Sequence, residues 1–154
     1  MRIEACYNLI MSWFNFWGLI IIILILIPNI FSVVLDKSSF ENKFDYKPIM
    51  VLEQIGRYLC LSLMIFNIPY TYFGFWFNNA LYIYIAVNII LIIVYYLGWI
   101  IFRKSKCAVK MLWLSIIPTI IFLFSGIMVS SIPLIAAALI FGVGHITISY
   151  KNSD

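Results

Sequence analysis

The chain has 154 residues, 65% of them hydrophobic and 10% charged, with a mean hydropathy of +1.08 and a formal net charge of +4. Soluble domains carry about a quarter charged residues, so there is too little polar surface here to coat a water-soluble core, and lipid takes the place of water. The basic residues form no nucleic-acid motif and do not interleave with aromatics on a polar face, so no nucleic-acid partner is expected.

The first apolar segment covers about 13–35 and centres on the unbroken run GLIIIILILI. In lipid a backbone satisfies its N–H and C=O groups only by coiling or by closing a barrel, so even this Ile-rich run is read as a helix. Pro28 predicts a kink in it. Arg2 is nearly offset by Glu4, and no small-residue cleavage site follows the run. The segment is therefore expected to stay as an anchor rather than be removed as a signal peptide. Next comes the one hydrophilic loop of any length, DKSSFENKFDYK at 36–47, where three acids balance three lysines. Phe40, Phe44 and Tyr46 are expected to dip into the membrane interface.

The second segment, about 49–69, reads IMVLEQIGRYLCLSLMIFNIP. Pro48 suits its start, where a missing N–H is harmless, and Pro69 is expected to end it. Glu53, Gln54 and Arg57 make it the most polar of the apolar segments. Glu53 and Arg57 are four apart, share a helix face and pair. An ionisable group deep in lipid costs roughly 2.5–3.5 kcal/mol on insertion scales, so the pair has two readings. It is a self-neutralised anchor whose Arg57 snorkels to the headgroups, or it is a polar site inside the bundle.

The stretch PYTYFGFWFNN that follows is uncharged and aromatic, as befits the bilayer interface. Asn78 and Asn79 are expected to cap the third segment, about 80–102, which holds Asn88. Then RKSKCAVK, at 103–110, carries four basic residues and no acid. The fourth segment, about 111–129, contains Pro118. Ser130, Ser131, Ile132 and Pro133 read as a tight turn with a serine cap, leading into the fifth segment at about 132–149. Ala138, Gly142, His145 and Ser149 form a stripe of mostly small side chains. Ser115, Thr119, Phe122 and Gly126 match it on the fourth segment, which predicts a packing seam between the two. His145, the only histidine, is expected either to hydrogen-bond a neighbour in that seam or to join Glu53 and Arg57 at a similar depth. Asn15, Asn67 and Asn88 are read as interhelical hydrogen-bonding amides.

The resulting fold class is all-α, a single polytopic transmembrane helical bundle of five spans. With the N-terminus outside and the C-terminus inside, nine of the ten lysines and arginines fall on or near the cytoplasmic side, as the positive-inside rule requires. With 31 Ile against 7 Ala, the codon usage is that of an AT-rich bacterium, and the cell membrane is the expected location. One histidine and the scattered Cys6, Cys60 and Cys107 build neither a disulfide nor a zinc or haem site, so no metal or cofactor is expected. There is no glycine-rich phosphate loop and no nucleophile elbow. Five dissimilar spans offer no inverted repeat of the transporter kind.

The expected role is non-enzymatic: a complex subunit, or a binder of lipid or another hydrophobic ligand, with Glu53, Arg57 and His145 as candidate ligand-binding residues. The expected partners are membrane lipid and either a protein partner or a second copy of the chain. The alternatives are a small oligomeric transporter or channel, and a membrane enzyme acting on a lipid headgroup at the cytoplasmic face. The chain superficially resembles the translocator-protein class in length and helix number, but it lacks that family's tryptophan–proline motifs.

Overall fold

A computed structural model describes residues 13–35, 44–102 and 108–152, with the backbone alone at 32–35 and 108. Arg2, Cys6, Phe40 and the basic stretch 103–107 lie outside the described residues. Among the described residues five helices follow one another: α1 (Phe16–Leu35), α2 (Lys47–Ile65), α3 (Ala80–Ile101), α4 (Ala108–Met128) and α5 (Ile132–Lys151). Four of them, α2 to α5, are long and apolar enough to cross a membrane, which fits a multi-pass integral membrane protein. Of α1, the stretch Phe16–Phe31, for which side chains are described, is apolar too.

The helix ends show where local sequence and tertiary pairing disagree. The Asn15 side chain lies beside the Tyr84 hydroxyl of α3, as an interhelical amide would, and it has a second task. Its side-chain oxygen accepts the Gly18 N–H at 3.0 Å and caps α1. Pro48 stands in the first turn of α2 as expected, but the helix ends at Ile65, well short of Pro69. The reason is a backbone partner distant in sequence. Asn15 N–H donates to Ile65 O, and Asn67 N–H to Trp13 O, each at 2.7 Å. Phe66, opposite Phe14, is drawn into extended geometry.

Asn79 and Ser131 do occupy N-cap positions, but neither side chain bonds its helix, contrary to the capping expected from sequence. The α4–α5 turn is instead closed through its backbone. Ser130 N–H donates to Ile127 O at 3.1 Å, and Ser131 N–H to Gly126 O at 2.9 Å. Ser130 sits in the left-handed region at φ 52, the usual geometry for terminating a helix this way.

Helix contacts close a ring in the order α1–α2–α5–α4–α3, with slight contact across it between α2 and α4. Successive helices run in alternating directions. At one end, here the hairpin end, Thr71 and Phe73 bond the α4–α5 turn, and the Trp76 indole N–H donates to Ile127 O at 2.7 Å. At the opposite, tail end, Phe44 N–H donates to Asn152 Oδ1 at 3.0 Å, so the entry to α2 meets the exit from α5. Cys60 and Met64 of α2, Tyr84, Asn88 and Tyr95 of α3, and Ile121 and Ser125 of α4 are fully buried inside the ring. Ile23, Ile27, Ile55, Ile90, Ile93, Ile120 and Val143 face outward and exposed, an apolar coat that hydrocarbon solvates without cost.

Candidate functional site

The inner face of α2 is set by Glu53, Gly56, Cys60, Leu63 and Met64, all buried and spaced three or four apart or adjacent. Two glycines decide how closely this face meets α5. A Cβ at Gly56 would stand 2.6 Å from the Phe141 nitrogen and 2.7 Å from its Cα. One at Gly144 would stand 2.8 Å from the Glu53 Cβ and 3.0 Å from its Cα. Each helix presents a glycine to the other's backbone, so the two axes approach as only small residues permit. Glu53 lies six residues after the start of α2, and His145 six residues before the end of α5. Both therefore sit about 9 Å from the tail-end helix termini.

The three candidate residues converge on a single atom. Glu53 Oε1 accepts Arg57 Nε–H at 3.0 Å and Arg57 Nη2–H at 2.5 Å. His145 Nδ1 lies 3.0 Å from the same oxygen. The Glu53 side chain is 6% exposed, whereas His145 is 24% and Arg57 49% exposed. The anion is thus at the bottom of the cluster, and the cationic side chain is its outward part. The His145 ring lies flat on Phe141, with centroids 4.6 Å apart and planes 21° apart. Stacking and the Glu53 contact together fix the imidazole. The contact engages Nδ1 and turns Nε2 away from Glu53.

Arg57 has a neighbour on one further helix. It lies within electrostatic reach of Tyr95 on α3. The Tyr95 hydroxyl donates to Asn29 Oδ1 on α1 at 3.0 Å, and Trp99 packs edge-on against the Tyr95 ring. The ion pair thus lies between α2 and α5 and near α3, with α1 joined to it only through Tyr95.

The seam expected between α4 and α5 exists, but His145 leaves it. The Ser115 and Ser149 hydroxyls lie 2.5 Å apart, and a Cβ at Gly142 would meet Thr119 Cγ2 at 2.6 Å. Gly144 and His145 lie on the flank of α5 toward α2, and Phe141 meets both neighbours, its backbone against Gly56 and its ring edge-on to Phe122 of α4. The 3.6-residue period spreads a 4-3-4 stripe over an arc wide enough to touch two neighbours. Asn88 bridges within and between helices: its amide donates to Tyr84 O at 2.8 Å, and Ser125 Oγ donates to its Oδ1 at 3.4 Å. Among the described residues, no group of three histidine, cysteine or carboxylate side chains is placed to hold a metal ion.

Sequence reasoning does not single out Gly56, Gly144 or Phe141. The signal is present in part, since Gly56 and Cys60 share the Glu53 face of α2 and mark it as the side of close approach. No family model, curated protein or solved structure matches the chain.

Proposed function

We propose that the protein is a five-span bundle of a bacterial cytoplasmic membrane, N-terminus outside and C-terminus inside, that binds an acidic lipid at its tail end through Arg57, supported by Glu53 and His145. Its role is that of a binding protein or complex subunit rather than an enzyme. The alternating directions of α1 to α5 support five spans, with the 20-residue α1 as the first. The helix ends that meet at the tail end are those that 36–47 and 103–110 join in sequence and the one bearing Lys151, and these stretches hold the excess of basic residues that marks a cytoplasmic side. Labelling the native cysteines tests this: position 6 should react from outside and position 107 from inside. Cys60, which is fully buried, should stay silent. Reaction of both 6 and 107 from one side removes the orientation.

The observation that carries the binding reading is the division of exposure within the cluster. Glu53 is sealed against α5 while Arg57 stays half exposed, with a guanidinium edge free of Glu53. Arg57 stands ten residues after the start of α2, about 15 Å along the axis, so its side chain has to reach toward the tail end to meet lipid phosphate, which a guanidinium fork matches in two N–H bonds. The Arg57→Gln variant is expected to lose most of its retained acidic lipid on purification while its melting temperature shifts little. Equal retention of acidic lipid by wild type and variant would remove the proposal. The Glu53–His145 contact also favours a second reading, a headgroup-directed enzyme, because a buried carboxylate that orients an imidazole is a familiar base arrangement. Headgroup release from the retained lipid separates this from binding.

A further inference from the structure

The triad also limits which anion fits. We infer that the site takes a phosphate monoester, a terminal phosphate bearing an O–H, in preference to a phosphodiester; this rests on the reading of Arg57 as the acidic-lipid contact. Arg57 commits its Nε–H and one Nη2–H to Glu53. Two Nη1 hydrogens and the outer Nη2 hydrogen remain, and they form a second donor edge. His145 commits Nδ1 to the same Glu53 oxygen. Arg57 Nη2 and His145 Nδ1 are therefore no farther apart than the sum of their distances to that atom. The free Arg57 edge and the free His145 Nε2 thus belong to one small site and offer opposite chemistry, donors from the first and a lone pair from the second.

A phosphodiester has two anionic oxygens for the arginine edge but no phosphate O–H for Nε2. A singly protonated phosphate monoester has both. Its two unprotonated oxygens accept from Arg57, and its P–O–H donates to Nε2 with no proton leaving either group. The carboxylate holds the imidazole in the tautomer that makes this possible, and Phe141 holds the ring plane.

The test uses the full-length protein in nanodiscs whose lipids share acyl chains and differ in headgroup: phosphatidic acid as monoester, phosphatidylglycerol as diester and phosphatidylcholine as neutral reference. Wild type should retain phosphatidic acid about tenfold over phosphatidylglycerol, the equivalent of one hydrogen bond worth roughly 1.4 kcal/mol. His145→Asn keeps a donor at the Nδ1 position and removes Nε2, so in this variant phosphatidic acid should be retained no better than phosphatidylglycerol. Equal retention of the two acidic lipids by wild type overturns the inference while the Arg57 reading stands. A preference that survives in His145→Asn overturns it in the same way. If neither acidic lipid exceeds phosphatidylcholine, the Arg57 reading itself fails. Competition by inorganic phosphate identifies the source: displacement of phosphatidic acid assigns the site to soluble phosphate monoesters, and no displacement assigns it to lipid.

Discussion

Replacing Gly144 by valine is expected to lower the unfolding free energy by about 3 kcal/mol, the upper end of what overpacking costs. The neighbour it would strike is the Glu53 backbone, where a Cβ already stands at 2.8 Å from Glu53 Cβ and 3.0 Å from Glu53 Cα. A side chain tip swings away at small cost, but a helix backbone moves only as a whole. Valine's better helix propensity recovers less than about 1 kcal/mol, so the steric term wins. Gly56→Val strikes the Phe141 backbone from the opposite helix and should behave alike. The double variant should cost less than the two together, since one separation of α2 from α5 relieves both clashes. Val143, beside Gly144 but 65% exposed, supplies the control: Val143→Ala should be nearly neutral. Denaturant titration in mixed micelles measures all four variants. A second readout, the 15N shifts of the His145 imidazole, should report loss of the Glu53 contact in both glycine variants. Neutral behaviour at Gly144 would mean that α2 and α5 do not touch there, and the site would lose its geometry.

The helices are legible in the sequence because the membrane leaves the backbone so little choice. Long apolar runs interrupted by polar or aromatic stretches mark α2 to α5 to within a few residues. Where the sequence misleads, the cause is a partner distant in the chain. Nothing near Ile65 announces that Trp13 and Asn15 take its backbone bonds, so Pro69 looks like the end of the helix. Within the site, the Glu53–Arg57 pair follows from i,i+4 spacing alone. The similar depth of His145 follows from counting residues to the helix ends. Lateral convergence does not, because five helices can be ordered around a ring in many ways. The ring order is decided by close-approach surfaces such as Gly56 against Phe141 and Gly144 against Glu53. Half of that information is visible as small residues on the Glu53 face of α2. The other half is masked by the more regular Ala138–Gly142–Ser149 stripe on α5, which faces α4.

Glu53→Leu should separate a bonded hub from a simple anchor. In an anchoring pair the two partners are equivalent, and removing either has a similar effect. In the observed geometry they are not equivalent. Glu53 Oε1 joins α2 to α5, accepting from Arg57 and lying against His145, while the Arg57 bonds to Glu53 stay within one helix. Stranding a fully buried charge costs about 3–5 kcal/mol. Arg57 is half exposed and reaches the headgroups when released, so the expected loss for Glu53→Leu falls to about 2 kcal/mol after that discount. Glu53→Gln keeps an acceptor oxygen and should cost about half as much. Arg57→Leu takes two N–H bonds and the guanidinium charge from an acid that keeps its His145 contact across to α5, and should cost about 1 kcal/mol, less than Glu53→Leu. The Glu53→Leu/Arg57→Leu double variant should be more stable than Glu53→Leu alone, because no charge is then left without a partner. An Arg57→Leu loss equal to or larger than that of Glu53→Leu would reverse the asymmetry. The cluster would then be an anchor for α2, and the binding role proposed for its exposed arginine would have no structural basis.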